Sequence, residues 1–235
     1  FWESKGYVTP AEFKEFCNTV VPLARLKQRV FTTADKLEVP VDVANYGPQA
    51  LTNMTVIWRI LDETGAGKAI GISNNHTIPI GKSRLEMIST DFKSLNLPAP
   101  GEYKLQIYLQ NTPFTNDWNF WLYPSQISDA VPTNVLVTSS WTAAERSLAD
   151  GGRVLFLPNN SDLDWRSPPL ARVPIFWNAL MGPTWSRMLG LWCDTNSPAL
   201  AEFPTEPNCD WQWTELLHDT RAVNLDHLPR SLKPI

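Results

Sequence analysis

From Arg29 to Tyr123 apolar and polar residues alternate with a period of two, the pattern of strands with one face on a core and one in water. Candidate strands are RVFTT, KLEVPVDVANY, LTNMTVIWRILD, KAIGIS, SRLEMISTDF, GEYKLQIYLQ and NDWNFWLYP. Turn residues separate them at Tyr46-Gly47-Pro48, Thr64-Gly65-Ala66-Gly67, Ile80-Gly81-Lys82 and Pro98-Ala99-Pro100-Gly101. In LTNMTVIWRILD the alternation puts Met54, Val56, Trp58 and Ile60 on one face, with Ile57 the one apolar exception on the other. In EYKLQIYLQ it is cleaner: Tyr103, Leu105, Ile107 and Leu109 face one way, and Lys104, Gln106, Tyr108 and Gln110 the other. About seven short strands over roughly 100 residues predict an immunoglobulin-like β-sandwich at 29–124.

The pattern changes on both sides of this block. Thr9, Pro10 and Glu12 form a capping box with Pro at the first helical position, so a short helix should follow. Its Phe13 and Phe16 share a face that nothing nearby in sequence receives, and VVPLARLKQ reads as an extended connector. Residues 1–28 therefore read as the tail of a preceding unit plus a connector, and the resemblance given below implies that this unit is a catalytic domain. Residues 125–134 read as a linker. Beyond it VLVTS, a helix AAERSLAD capped by Thr142 and Glu145 and ended by Gly151-Gly152, and RVLFLP make a βαβ unit. MLGLWC and RAVNL are further candidate strands, Ser197-Pro198 opens a short helix, and Asp210 can cap WQWTELL. The expectation for 135–235 is an α/β domain that stops before it is complete.

Composition narrows the classes. The 235 residues carry a net charge of −4 with scattered Lys and Arg, which argues against nucleic-acid binding. No apolar run reaches the roughly 20 residues a membrane helix needs, so no membrane partner is expected. Cys17, Cys193 and Cys209 lack C-x-x-C spacing, which indicates neither a zinc site nor a disulfide framework; a Cys193–Cys209 bridge fits the spacing, though buried free thiols are the first expectation. His76 sits in a polar stretch that reads as a turn.

The chemistry worth weighing lies in 174–217, which holds Trp177, Trp185, Trp192, Trp211 and Trp213. An indole joins a large apolar face to one N–H, so it suits half-wet surfaces and can stack on a sugar ring. For any one Trp the plainer reading is packing. Trp211 and Trp213, at i and i+2 on a helix, would point about 200° apart, with Trp213 in the core beside Leu217 and Trp211 exposed. Asn160, Asp162 and Asp164 alternate like the first ligands of an EF-hand loop, but Trp165 replaces the required Gly and Ala171 the bidentate Glu. No glycine-flanked nucleophile turn, phosphate loop or dinucleotide fingerprint exists. His218 and His227 read as surface groups, and Asp194, Glu202, Glu206 and Asp210 lie on a loop-rich segment that supports a preorganised carboxylate pair poorly.

Several longer words, FWESKGYVTPAEFKEFC, VPLARLKQRVFTTAD, NDWNFWLYP, RVLFLP, IFWN and LGLWCDTNSPALAEFPTE…DWQWTELL, stand in an order that resembles the C-terminal half of β-galactosidase-like enzymes of glycoside hydrolase family 2. The likeness covers nearly the whole chain. It implies accessory domains following a (β/α)₈ barrel, and a periplasmic or secreted parent. The family's two catalytic glutamates belong to that barrel, one in an Asn-Glu pair, and this sequence has no such dipeptide. The α/β half resembles a glutamine-amidotransferase-like domain without the Cys nucleophile turn.

Three functions compete. The first is a non-catalytic C-terminal fragment of a glycoside hydrolase, a sandwich spacer plus accessory α/β domain, with the catalytic barrel of the same protein as partner and no cofactor or metal. The second is a free-standing carbohydrate-binding module using surface tryptophans. The third is a hydrolase or amidotransferase centred on Cys193 or Asp194. Contact candidates for a glycan or partner domain are Trp177, Asn178, Trp185 and Trp211; no catalytic residue is assigned.

Overall fold

The computed structural model describes residues 6–128, 130, 133–163, 167–170 and 190–224. Its strands and helices run α1 (Pro10–Phe16), β1 (Val20–Ala24), β2 (Val30–Thr32), β3 (Lys36–Asn45), β4 (Leu51–Asp62), β5 (Gly67–Ile78), β6 (Gly81–Asp91), α2 (Phe92–Leu95), β7 (Gly101–Leu109), β8 (Thr115–Tyr123), β9 (Val135–Thr138), α3 (Trp141–Ala149), β10 (Arg153–Phe156) and α4 (Trp213–Leu217). Among the described residues strands outweigh helices, and the first half is a β-sandwich. The chain divides into two compact units, Phe1–Ser125 and Gln126–Ile235.

In the first unit a three-stranded sheet ordered β1-β3-β6 packs on a five-stranded sheet ordered β2-β8-β7-β4-β5. All pairs are antiparallel except β2 with β8. The residues singled out by their alternation supply the core. Leu105, Ile107 and Leu109 of β7 are fully buried and Tyr103 nearly so; Val56 and Ile60 join them from β4, with Met54 and Trp58 packed at the margin. From the smaller sheet come Leu37, Val39, Val41 and Val43. Ile57, the exception, is buried on the outward side, in register with Tyr108 and Ile72. An aromatic group closes one part of the core, with Phe120 lying 5.6–5.8 Å from Phe31, Phe92 and Tyr103. The Tyr103 hydroxyl donates to the Pro98 carbonyl at 2.6 Å.

Four expectations need correction here. VVPLA is no connector: it is strand β1, pairing Val20–Ala24 with Val41–Asn45, because Val20 is as buried as the rest of the core. Phe92 ends no strand; Asp91 caps a one-turn helix that turns Phe92 into the aromatic group. His76 lies in β5, not in a turn, and its Nε2 meets Ser73 Oγ at 2.7 Å. The cap of α3 is Ser140, whose Oγ accepts from the Ala143 amide, and Thr142 lies inside the helix. The other end of α3 closes as expected: Gly151, at φ +78°, and Gly152 return their amides to Leu148 and Ser147 in a Schellman turn.

Helix α1 has the expected capping box between Thr9 and Glu12 and buries none of its residues; Phe13 and Phe16 touch edge to face at 5.3 Å and remain exposed. In the second unit β9 and β10 pair in parallel around α3, which is the βαβ unit the pattern predicts. Both strands are only half covered among the described residues, with Leu136, Val137 and Leu155 exposed. The described part of MLGLWC forms a single bridge, Trp192 to Asn208, and that of RAVNL one bridge, Arg221 to Pro169. Neither described part forms a strand: polar turns at Asp194-Thr195-Asn196 and around Asp219 flank the paired residue.

Candidate functional site

The described part of the tryptophan-rich segment is organised by one antiparallel contact. The Cys193 amide donates to the Pro207 carbonyl at 2.7 Å, and the Cys209 amide donates to Leu191 at 3.1 Å. This sets Trp192 opposite Asn208 and, by the alternation of an extended chain, turns both cysteines to the other face. Gly190, at φ +134°, makes room for Cys209: a Cβ there would stand 2.3 Å from its Sγ. All three cysteines are free thiols, Cys193 buried and Cys17 exposed. Burial first, then Cys209 and Asp210, push the Cys193 thiol above its usual range. A buried thiol with a raised pKa is a weaker nucleophile than an exposed, lowered one, so this environment does not favour Cys193 as a nucleophile.

The carboxylates are occupied locally. Asp194 accepts from the Asn196 amide at 3.0 Å, and Asp210 accepts from the amide and side chain of Gln212 at 3.0 and 3.1 Å. Glu202 and Glu206 are exposed. His218 is exposed beside Asp219 at 3.1 Å. Among the described residues no group of three metal-ligating side chains occurs. Asn160 and Asp162 belong to a single 3-10 turn closed by Asp162 back onto Asn159; Asp164 lies outside the described residues.

Of the four contact candidates, Trp177, Asn178 and Trp185 lie outside the described residues. Trp211 is described and 52% exposed. It stands before the helix, in the turn that leads into α4, so its direction is set by that turn and not by a helical i, i+2 relation. Trp213 opens α4 half-buried; its Nε1 donates to Thr205 at 2.8 Å, and its ring meets Phe203 edge to face at 4.8 Å. Leu217, four residues on, is buried. One buried residue escaped the sequence reading, and one tryptophan it named stood outside the contact candidates. Gln212 is buried and ties Pro204 to Asp210 through its side-chain amide. Trp192 is 75% exposed, the most exposed indole described. It lies in a single bridge to Asn208 instead of inside a strand, and no local pattern announces that.

Residues 35–124 match a family model described as a domain of unknown function, DUF8488, and residues 136–235 match another, DUF8487. No curated protein matches. Solved structures show distant similarity to parts of glycoside hydrolases and of other proteins. A β-glucuronidase of Parabacteroides merdae is 14% identical over 45% of this chain and 14% of its own, with a TM-score of 0.32. A family 123 glycoside hydrolase of Clostridium perfringens is 13% identical over 55% and 32%, with a TM-score of 0.32. The alkylpurine DNA glycosylase AlkC of Pseudomonas fluorescens is 12% identical over 45% and 30%, with a TM-score of 0.35. The chain thus spans under a third of the length of each, and likeness at this level carries no argument about activity.

Proposed function

We propose that this chain is a non-catalytic accessory region of a β-galactosidase-like glycoside hydrolase, an immunoglobulin-like spacer followed by a small α/β domain of the amidotransferase-like kind. The observation that carries the spacer is how its outward face is used. On the five-stranded sheet Arg59 binds Gln106 at 2.7 Å, Lys104 pairs with Asp117 at 3.3 Å, and Asn119 binds Glu102 at 2.7 Å. These polar groups are spent on one another, while the inward rows are sealed, as suits a rigid body that holds other parts in place. The strand order, the parallel β2–β8 edge and the Tyr103 hydroxyl bonded back to Pro98 support the immunoglobulin-like assignment. The parallel β9–α3–β10 unit supports the second. The test is turnover of nitrophenyl galactoside by the purified chain. Acid–base and electrostatic terms dominate such rates, so only the buffer rate is expected; activity that survives repurification overturns the reading.

The exposure of Trp192 and Trp211 favours a second reading, contact with glycan. Affinity electrophoresis in gels containing galactan checks it: retardation lost in Trp192→Ala and Trp211→Ala supports glycan contact, and equal mobility with and without polysaccharide removes it.

A further inference from the structure

Asp42 sits in the middle of β3 on the outward face of the three-stranded sheet, next to a register shift against β6. Its side chain is 1% exposed, because three cations close over it. Arg25 donates through Nε to Oδ2 at 2.8 Å, Lys82 approaches Oδ2 at 3.2 Å, and Arg84 donates through Nε to Oδ1. The three come from separate segments: Arg25 follows β1 and is held by its amide to the Pro40 carbonyl, while Lys82 and Arg84 lie two apart on β6. Among the described residues they have no other side-chain partner.

One carboxylate neutralises one of the three charges, so the cluster carries a surplus of +2 in a chain whose net charge is −4. Asp42 has acceptor sites enough for all three donors, but its single negative charge offsets only one of the three positive charges gathered against mutual repulsion. A guanidinium has five N–H donors. Both arginines engage Asp42 through Nε, which leaves the four η donors of each unspent, and the three side chains are 43–56% exposed. The nearest acidic residue along that face of β3, Glu38, is four positions away, roughly 13 Å.

We propose that Arg25, Lys82 and Arg84 form an oxyanion-binding site, preorganised from beneath by Asp42, that takes a phosphate, sulfate or sugar carboxylate. Asp42 fixes the Nε edges and so orients the η edges, which lowers the ordering entropy lost when a ligand arrives. The paired η edge of a guanidinium matches two oxygens of such a group, and an ammonium adds a point charge. This site is independent of the accessory-region reading and stands or falls without it.

The test follows the Arg Nε–Hε signals of the full chain by NMR during titration with sodium phosphate, sodium sulfate or sodium glucuronate, at ionic strength held constant with chloride. Saturable shifts at Arg25 and Arg84 are expected in at least one arm, and the ranking of arms tells an inorganic anion from a sugar acid. Arg84→Gln should abolish saturation, and Lys82→Gln should weaken it about tenfold. Arg59→Gln, on the other sheet, should leave it unchanged. If Arg84→Gln fails to fold, Lys82→Gln decides, since that side chain is exposed and makes the longest of the three contacts. Shifts that chloride alone reproduces, or equal affinity in Lys82→Gln, overturn the proposal.

Discussion

Asp42 has the environment with the clearest energetic consequence. Burial alone raises its carboxyl, but hydrogen bonds from Arg84, Arg25 and Lys82 outweigh that and hold it at about 2 against an ordinary 3.8. A carboxyl lowered in the folded state contributes stability that is present above the unfolded value and lost as pH falls through the folded one. The contribution, on the order of 2 kcal/mol, should therefore be full above about pH 4 and fade toward pH 2. Asp42→Asn should lower the urea midpoint at pH 6, since it leaves three cations uncompensated, and the gap between variant and wild type should narrow at pH 2.5. A gap that stays constant across that window rejects the ion cluster as its source. Trp213 and Trp211 give a second contrast. Trp213→Ala removes a half-buried ring and the donor to Thr205, and should cost about 2–3 kcal/mol. Trp211→Ala should change stability by less than about 0.5 kcal/mol. Thermal melts of the two variants check this, and equal shifts reject it.

At the scale of elements, the pairing of β4 with β5 depends on a glycine. Trp58 faces Gly71 across the ladder, and a Cβ on Gly71 would lie 2.3 Å from the indole. The ring can pack at the core margin because that strand position is empty. Gly71→Ala should force the indole or the edge strand aside and cost about 1–3 kcal/mol. Gly67→Ala, at the start of the same strand, meets nothing within 4 Å and should be nearly neutral. Denaturant titration of both variants measures the difference. The same strand exposes Ile70 and Ile72 at the sheet edge. Turn chemistry carries the neighbouring connection: Asp62 accepts from Thr64 and Ala66 and pairs with Lys68 at 2.7 Å, and Lys68 first and Thr64 next hold its carboxyl well below its ordinary value.

At the scale of the molecule, the division between Ser125 and Gln126 predicts independent behaviour of the two units. Limited proteolysis should cut first within 125–134. A fragment of residues 1–125 should keep the cooperative melt of the sandwich, because its inward rows find their partners inside that unit. First cuts between Val41 and Leu61 would place the boundary elsewhere.

Much of this was legible in the residues. A period of two forces alternate side chains to opposite faces, so the inward positions of β4 and β7 could be named without any knowledge of which strands they meet. Caps are local too: Thr9 with Glu12 and Gly151-Gly152 act within one helical turn. Pairing between distant segments was not legible. VVPLA has no alternation to mark it, since Val21 on its outward side is also buried, and only its partner β3 makes it a strand. Trp192 meets its bridge partner Asn208 across 16 positions of sequence, and no local alternation marks that pairing. The Arg25–Asp42–Lys82–Arg84 cluster joins residues 17 and 42 positions apart. Sequence alone determined which residues turn inward, because that depends on backbone geometry within a few residues. Tertiary structure alone decided which charges meet, because attraction between charged groups depends on distance in space, and the strand order sets that distance.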